Sequence, residues 1–243
     1  MYYIIFLSLI AGLATTLGTL SVLLLGKPGE RIFSFFLGTA GGIMMAVVIL
    51  DLLPSAVSQG SIFMVILGTF LGLLVMLILD LVLSEIYSFS EKENNRAKQL
   101  LKMGYLIAIG IALHDLPEGM AIAVGYSATE KLGFLIALAI GLHNIPEGMA
   151  IAAPLKMGGM RSSKIIFLTI FISFFTPLGS FLGYLLVNLS RHFIALLLSL
   201  AAGAMTYIVV NELIPESTKH HPNFARLGIG LGFIFIFFLT LHH

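Results

Sequence analysis

Two histidine–glutamate pairs, His114/Glu118 and His143/Glu147, stand in otherwise apolar sequence. Residues four apart on an α-helix are separated by about 40° around the axis and about 6 Å along it. Each pair therefore shares a face and can grip one ion. Together the pairs offer two imidazoles and two carboxylates, a set able to coordinate tetrahedrally. Two ionised glutamates beside two neutral histidines also match the charge of a divalent cation. Mixed nitrogen and oxygen ligation suits Zn²⁺, and Fe²⁺, Mn²⁺, Co²⁺ or Ni²⁺ fit the same donors. A lone His/Glu pair in a helix is more often a structural hydrogen bond. Duplication, with a proline between the two residues each time, shifts the reading to metal.

The pairs belong to an internal repeat. Leu113–Ala123 recurs 29 residues later as Leu142–Ala152, with nine of eleven positions identical. Asp115 of the first copy is replaced by Asn144 in the second. Pro117 and Pro146 lack an N–H, so the carbonyls of Leu113 and Leu142 lose their helical partners and become available to water or an ion. Gly119 and Gly148 are expected to leave room for the facing helix. There is no cysteine, which excludes disulfides, thiolate metal sites and cysteine nucleophiles.

The elements that carry these motifs are membrane spans. Of 243 residues, 58% are hydrophobic and only 10% are charged, too few to coat a soluble domain of this size. Thirteen basic against twelve acidic residues give a net charge of +1, which argues against a nucleic-acid partner. A spanning helix needs about 20 apolar residues. Eight stretches qualify: Tyr2–Leu25, Ile32–Leu53, Ile62–Leu83, Gly104–Gly125, Leu132–Leu155, Ile165–Asn188, Phe193–Glu216 and Phe224–Leu241. The expected fold is an all-α integral membrane protein forming one transmembrane domain over residues 1–243. The first span has no basic flank or small-residue cleavage site and reads as a retained helix. Eleven basic residues, from Lys27 to Arg226, fall on one side of this alternation, and only Lys131 and Arg191 fall on the other. Basic residues stay in the cytoplasm, so both termini are expected outside. The longest cytoplasmic loop, from about Ser84 to Met103, mixes Glu85, Glu91 and Glu93 with lysines and reads as a solvated connector.

The motif helices are consecutive, so they run antiparallel, and an axis in the membrane plane would bring the motifs face to face at mid-depth. A weaker repeat aligns Ala40–Ser55 without gaps to Ala201–Glu216. Those segments lie in spans 2 and 7, again of opposite direction, which implies a 3+2+3 arrangement with inverted repeats. Asp115, Glu118 and Glu147 fall inside the helical core, where an ionised group costs about 2.5–3.5 kcal/mol on insertion scales. A cation, a proton or a water-filled cavity must offset that cost. Asp51 comes near the outer end of span 2, and Glu212 and Glu216 near the inner end of span 7. They read as entrance and exit stations of a transport pathway, with Asn211 an auxiliary ligand. Asp80 and Glu85 are weaker exit candidates. His220 and His221 read as a solvated loop, and His192, His242 and His243 receive no role.

The two His-x-x-Pro-Glu-Gly motifs resemble the paired signature of the ZIP (Zrt/Irt-like) divalent metal transporters, and the resemblance covers the whole chain. It implies eight helices with both termini outside, a metal site between helices 4 and 5, and import into the cytoplasm. By this likeness His114, Glu118, His143 and Glu147 match the principal transport site, and Asp115, Asn144, Glu118 and Glu147 an adjacent one. The family usually has Asn where this chain has Asp115. Many members place a Glu before Pro-Leu-Gly on helix 6, where this chain has Thr176. One strong site is therefore expected, with the second weak or absent and Asp115 restoring part of the missing charge. The long cytoplasmic loop lacks the histidines common in the family, which argues against metal sensing there.

The expected function is import of divalent cations, Zn²⁺ first, across the plasma or inner membrane, with the ion as substrate and no organic cofactor. The partners are the metal and the lipid bilayer, with a homodimer compatible with the sequence. No phosphate-binding Gly-Lys-Ser motif exists for ATP use. An intramembrane metal-dependent hydrolase is the alternative, but it would need an open water position and a general base, and the chain has no His-Glu-x-x-His. A channel-like protein whose carboxylates face a water pore is a third reading.

Overall fold

A computed structural model describes residues 2–26, 28–88, 96–185 and 191–240. Lys27, Glu91, Lys92, Glu93, Asn188, His242 and His243 lie outside the described residues. Among the described residues all regular structure is helical, and eight helices are long and apolar enough to cross a membrane. They are span 1 (Tyr2–Leu25), span 2 (Glu30–Gln59), span 3 (Ile62–Ile86), span 4 (Arg96–Ser127), span 5 (Glu130–Met157), span 6 (Ser162–Leu185), span 7 (His192–Lys219) and span 8 (Pro222–Thr240). The eight expected stretches each fall on one of these. The main extension is in span 4, which starts at Arg96 rather than at Gly104. Its first turns carry Arg96, Lys98 and Lys102, which are good helix formers but invisible to a search for apolar windows.

Burial sorts the spans. The apolar windows of spans 2 and 4 are 67% buried, whereas those of spans 3 and 8 are 22% buried. Spans 2 and 4 form the interior, and spans 3 and 8 present leucine, isoleucine and phenylalanine outward, as lipid-facing helices do. Between helices the close contacts use small residues, because lipid tails compete with any large apolar side chain and only tight backbone approach adds attraction. Four pairs show this reciprocally. Span 2 meets span 8 through Gly38 and Gly42 on one side and Gly228 and Gly232 on the other. Span 3 meets span 7 through Gly72 and Gly203, span 1 meets span 5 through Gly18 and Gly148, and span 4 meets span 6 through Gly119 and Gly179.

Gly119 and Gly148 thus back onto spans 6 and 1. They do not make room for each other's helix, as the sequence suggested. A Cβ on Gly119 would overlap the carbonyl oxygen of Thr176, and one on Gly148 that of Thr15.

Prolines set the irregular backbone. Span 2 contains a π-helical turn, Val48–Leu52, and span 7 another, Val209–Leu213. In these turns Leu53 N–H donates to the carbonyl of Val48, and Ile214 N–H to that of Val209, a five-residue step. Pro54 and Pro215 follow directly and have no N–H to continue an α ladder, so the ladder slips at that point. The two turns occupy corresponding positions of the weaker repeat, with Asp51 and Glu212 at the same place in each. Span 6 divides at Phe174 into Ser162–Ser173 and Phe175–Leu185, where Pro177 cannot donate to the carbonyl of Ser173. Spans 4 and 5 run helically through Pro117 and Pro146.

Candidate metal centre

His114, Asp115 and Glu118 come from the middle of span 4, and His143, Asn144 and Glu147 from the middle of span 5. All six are buried, and His114, Asp115, Asn144 and Glu147 are fully buried. The four-residue step does what it should within span 4: His114 Nε2 lies 3.7 Å from Glu118 Oε1. The second span closes the set. Glu147 Oε1 lies 3.4 Å from His114 Nε2, and His143 Nε2 lies 3.0 Å from Glu118 Oε1. Each glutamate therefore reaches across to the other span's histidine. Asp115 Oδ1 adds a further oxygen 3.7 Å from His114 Nε2. Ligand atoms of His114, Asp115 and Glu118 all lie within 4.8 Å of one another, the spacing of groups that can hold one ion.

Backbone contacts orient these groups. His114 Nδ1 lies 3.3 Å from the carbonyl of Gly110. Donation there fixes the tautomer and leaves the Nε2 lone pair facing the carboxylates, the arrangement that presents a histidine to a metal. Asn144 Nδ2 donates to the carbonyl of Ala11 on span 1 at 3.0 Å. Its amide is thereby tied to the wall of the site rather than aimed wholly into it.

The donor set fits a cation on a second ground. Buried polar atoms in proteins almost always have hydrogen-bond partners. Here His114 Nε2, both oxygens of Asp115 and Glu147, Glu118 Oε2 and Asn144 Oδ1 are buried without one. These atoms are acceptors, or lone pairs, from one small region. Clustered acceptors without donors are what a cation satisfies.

Thr176 is fully buried on span 6, and its Oγ1 has no hydrogen-bond partner either. It sits on the span that packs against Gly119, one residue after Glu118. A layer of hydroxyls that the sequence reading did not single out surrounds the centre. Thr16 and Ser173 hydrogen-bond to each other at 3.1 Å, Thr19 donates to the carbonyl of Gly148, and Ser180 donates to that of Gly119. Their signal was present as buried-type Ser and Thr in spans 1 and 6, but an apolar helix tolerates such residues anywhere by bonding them to its own backbone.

The remaining predicted residues are placed apart from the centre. Asp51 is exposed and accepts a hydrogen bond from Ser55 Oγ at 3.1 Å. Asn211 donates to the carbonyl of Tyr207. Glu212, Glu216 and Asn211 line a cleft of about 350 Å³ at the other end of the bundle, together with Arg96 and Lys102 of span 4. Arg96 grips Glu30 with both terminal nitrogens, at 2.9 and 3.0 Å, and lies 3.9 Å from Glu216. Lys102 forms an ion pair with Asp80, which also accepts from Tyr207 Oη at 2.8 Å. Lys102 and Tyr207 were not singled out from sequence. The available signal was an acid and a base at the adjoining ends of consecutive spans 3 and 4.

Comparison with known proteins gives one consistent picture. The family model described as ZIP Zinc transporter matches residues 88–240. A zinc transporter ZupT of Chlorobium limicola is 32% identical over 99% of this chain and 98% of its own length. A zinc transporter ZupT of Escherichia fergusonii is 33% identical over 89% of this chain and 87% of its own. One from Streptococcus mutans is 30% identical over 88% of each chain.

Proposed function

The chain belongs to the ZIP family of zinc transporters, and from that premise we propose that it carries Zn²⁺ into the cytoplasm through a single strong site between spans 4 and 5. The observation that carries this is the crossed pairing of His114 with Glu147 and His143 with Glu118 at 3.4 and 3.0 Å, in a buried layer whose acceptors lack donors. His114, His143, Glu118 and Glu147 act as the ligands. Asp115 adds charge beside them, and Asn144 Oδ1 is the remaining oxygen on span 5. Thr176 supplies a neutral hydroxyl where a carboxylate would be needed to bridge a second ion, so a second site is weak. Fe²⁺, Mn²⁺ and Co²⁺ share the mixed nitrogen and oxygen preference and compete as secondary substrates.

The ion enters past Asp51, reaches the centre, and leaves past Glu212 and Glu216 with Asn211 beside them. This direction rests on the eleven-to-two division of basic residues, which puts Arg96, Lys102 and Lys219 at the cytoplasmic end and both termini outside. The reciprocal packing supports an inverted 3+2+3 organisation. Exchanging spans 1–3 with spans 6–8, and span 4 with span 5, turns the 2–8 pair into the 7–3 pair and the 1–5 pair into the 6–4 pair. The matching π-turns at Asp51 and Glu212 obey the same exchange. Transport then consists of exposing the central layer alternately to the two faces. Spans 3 and 8, the least covered of the eight, offer the surface on which a homodimer would form.

The test is uptake of labelled Zn²⁺ into vesicles containing the pure protein, with and without the paired change His143→Ala and Glu147→Ala. Loss of saturable uptake in the variant is expected. Undiminished uptake would remove these residues from the transport site. Zinc-dependent cleavage of a peptide or lipid by the same preparation would instead revive the hydrolase reading.

A further inference from the structure

Beside the cleft at the Arg96 end, joined to it through Lys102, lies an arrangement that simple metal conduction does not require. Asp80, toward the end of span 3, is doubly engaged. Lys102 of span 4 pairs with one oxygen, and Tyr207 of span 7 donates to the other at 2.8 Å. Glu212 sits on the π-turn four residues beyond Tyr207's neighbour Ile208 and lines the same cleft as Lys102. Lys102 is twelve residues before His114 on the same helix, about 18 Å along the axis. An ion travelling from the centre along span 4 therefore meets the Lys102 ammonium among carboxylates.

We propose that Lys102 is a tethered competitor cation: its ammonium occupies the Asp80 carboxylate at the inner mouth so that the transported ion is released there rather than retained. The charge count supports this. Arg96 and Glu30 neutralise each other through their two-pronged contact. Of the rest, Asp80, Glu212 and Glu216 face Lys102 and Lys219, which leaves one negative charge in excess. Without Lys102 the excess is two, enough to hold a divalent cation. A pathway must bind its ion well enough to admit it and weakly enough at the mouth to let it go. A fixed ammonium achieves the second condition, because a metal can take Asp80 only by displacing a cation that cannot diffuse away.

This inference rests on the transport reading for its meaning as an exit, and its test is arranged to stand apart from that reading. In full-length protein carrying His114→Ala, Asp115→Ala, Glu118→Ala, His143→Ala and Glu147→Ala, the central ligands are gone and Zn²⁺ binding reports the mouth. Adding Lys102→Gln should tighten Zn²⁺ binding at least about tenfold in equilibrium dialysis, as expected when a unit positive charge near the ion is removed. Lys102→Met, which preserves the length and packing of the side chain, should do the same. Adding Asp80→Asn should abolish the gain, and Lys102→Arg should show none. A purely structural ion pair between spans 3 and 4 would lower thermal stability in Lys102→Gln without adding metal affinity. That result, or a gain that survives Asp80→Asn, would overturn the proposal. Failure of the central assignment would instead appear as undiminished uptake in the His143/Glu147 variant with Lys102 intact.

Discussion

Glu118→Gln tests the central layer most directly. Glu118 is 5% exposed, its Oε1 stands 3.0 Å from His143 Nε2 and 3.7 Å from His114 Nε2, and its Oε2 has no hydrogen-bond partner. Glutamine keeps the shape and one oxygen acceptor for His143 but removes the charge. A unit charge about 4 Å from a cation contributes about 4 kcal/mol for each unit of cation charge at an effective dielectric near 20, before the cost of stripping water. Removing one partner of a buried ion pair costs about 3–5 kcal/mol in practice. Zn²⁺ affinity should therefore fall roughly 10²- to 10⁴-fold, at 1.4 kcal/mol per decade. Isothermal titration of the purified chain measures it. The metal-free variant should melt no lower than the parent, because a buried charge has been removed, while added Zn²⁺ should raise the parent's melting temperature far more than the variant's. A Zn²⁺ affinity within tenfold of the parent would refute the reasoning that this carboxylate is a ligand. A large fall in metal-free stability would show that its chief role is to hold His143.

Three other outcomes follow from the same geometry. Metal ligands must be deprotonated, so protons compete with Zn²⁺: the apparent KM for uptake should rise as the external pH falls, and Zn²⁺ binding should release protons into a weakly buffered solution. Gly148→Val should lower the melting temperature by about 5–10 °C, since its Cβ would overlap the carbonyl of Thr15, whereas Gly230→Val, with no heavy atom within 4 Å of a Cβ, should leave it nearly unchanged. Pro215→Ala restores an N–H after the Val209–Leu213 turn, which lets the helix revert to an α ladder and rotates Glu212 away from the cleft; uptake should drop several-fold with the thermal melt retained, and an unaltered rate would show that the π-turn does not position the exit.

The sequence made the spans and their number legible, because a bilayer demands long apolar helices and little else. It also made the shared face of His114 and Glu118 legible, because a four-residue step fixes a common face whatever the helix packs against. What it could not show was which helix meets which. Gly119 and Gly148 look alike in sequence and were expected to leave room for the facing motif helix, yet they pack on Thr176 and Thr15. A glycine announces a close approach but not its partner. The crossed contacts, Glu118 to His143 and Glu147 to His114, were likewise beyond sequence, since they depend on the relative height of spans 4 and 5 rather than on spacing within either. The π-turns escaped for a different reason. Pro54 and Pro215 are visible in the sequence, but a proline can be absorbed by a kink, as a helix stop or by a slipped ladder, and Pro117 and Pro146 show that it can also pass within a continuous helix.

The central layer is costly to the protein that carries it. Asp115, Glu118 and Glu147 lie buried inside the bundle, and each ionised group there costs about 2.5–3.5 kcal/mol even on the milder insertion scales. Hydrophobic residues of the same volume would stabilise the bundle, as they do where buried ion pairs are replaced. The expense becomes intelligible when the cation is counted as the missing partner. On the proposed function, the unpartnered oxygens of Asp115, Glu118 and Glu147 are ones that a Zn²⁺ ion can use, so part of the stability given up by the fold returns as affinity for the cargo. The same logic sets a limit. A layer that binds too well would not release its ion, and with Thr176 in place of a carboxylate the layer carries no further fixed charge. The proposed function concentrates binding at one layer, and toward the start of span 4 Lys102 already sits in the grasp of Asp80. On the function proposed above, affinity is high where the ion must be selected and is cancelled where it must depart.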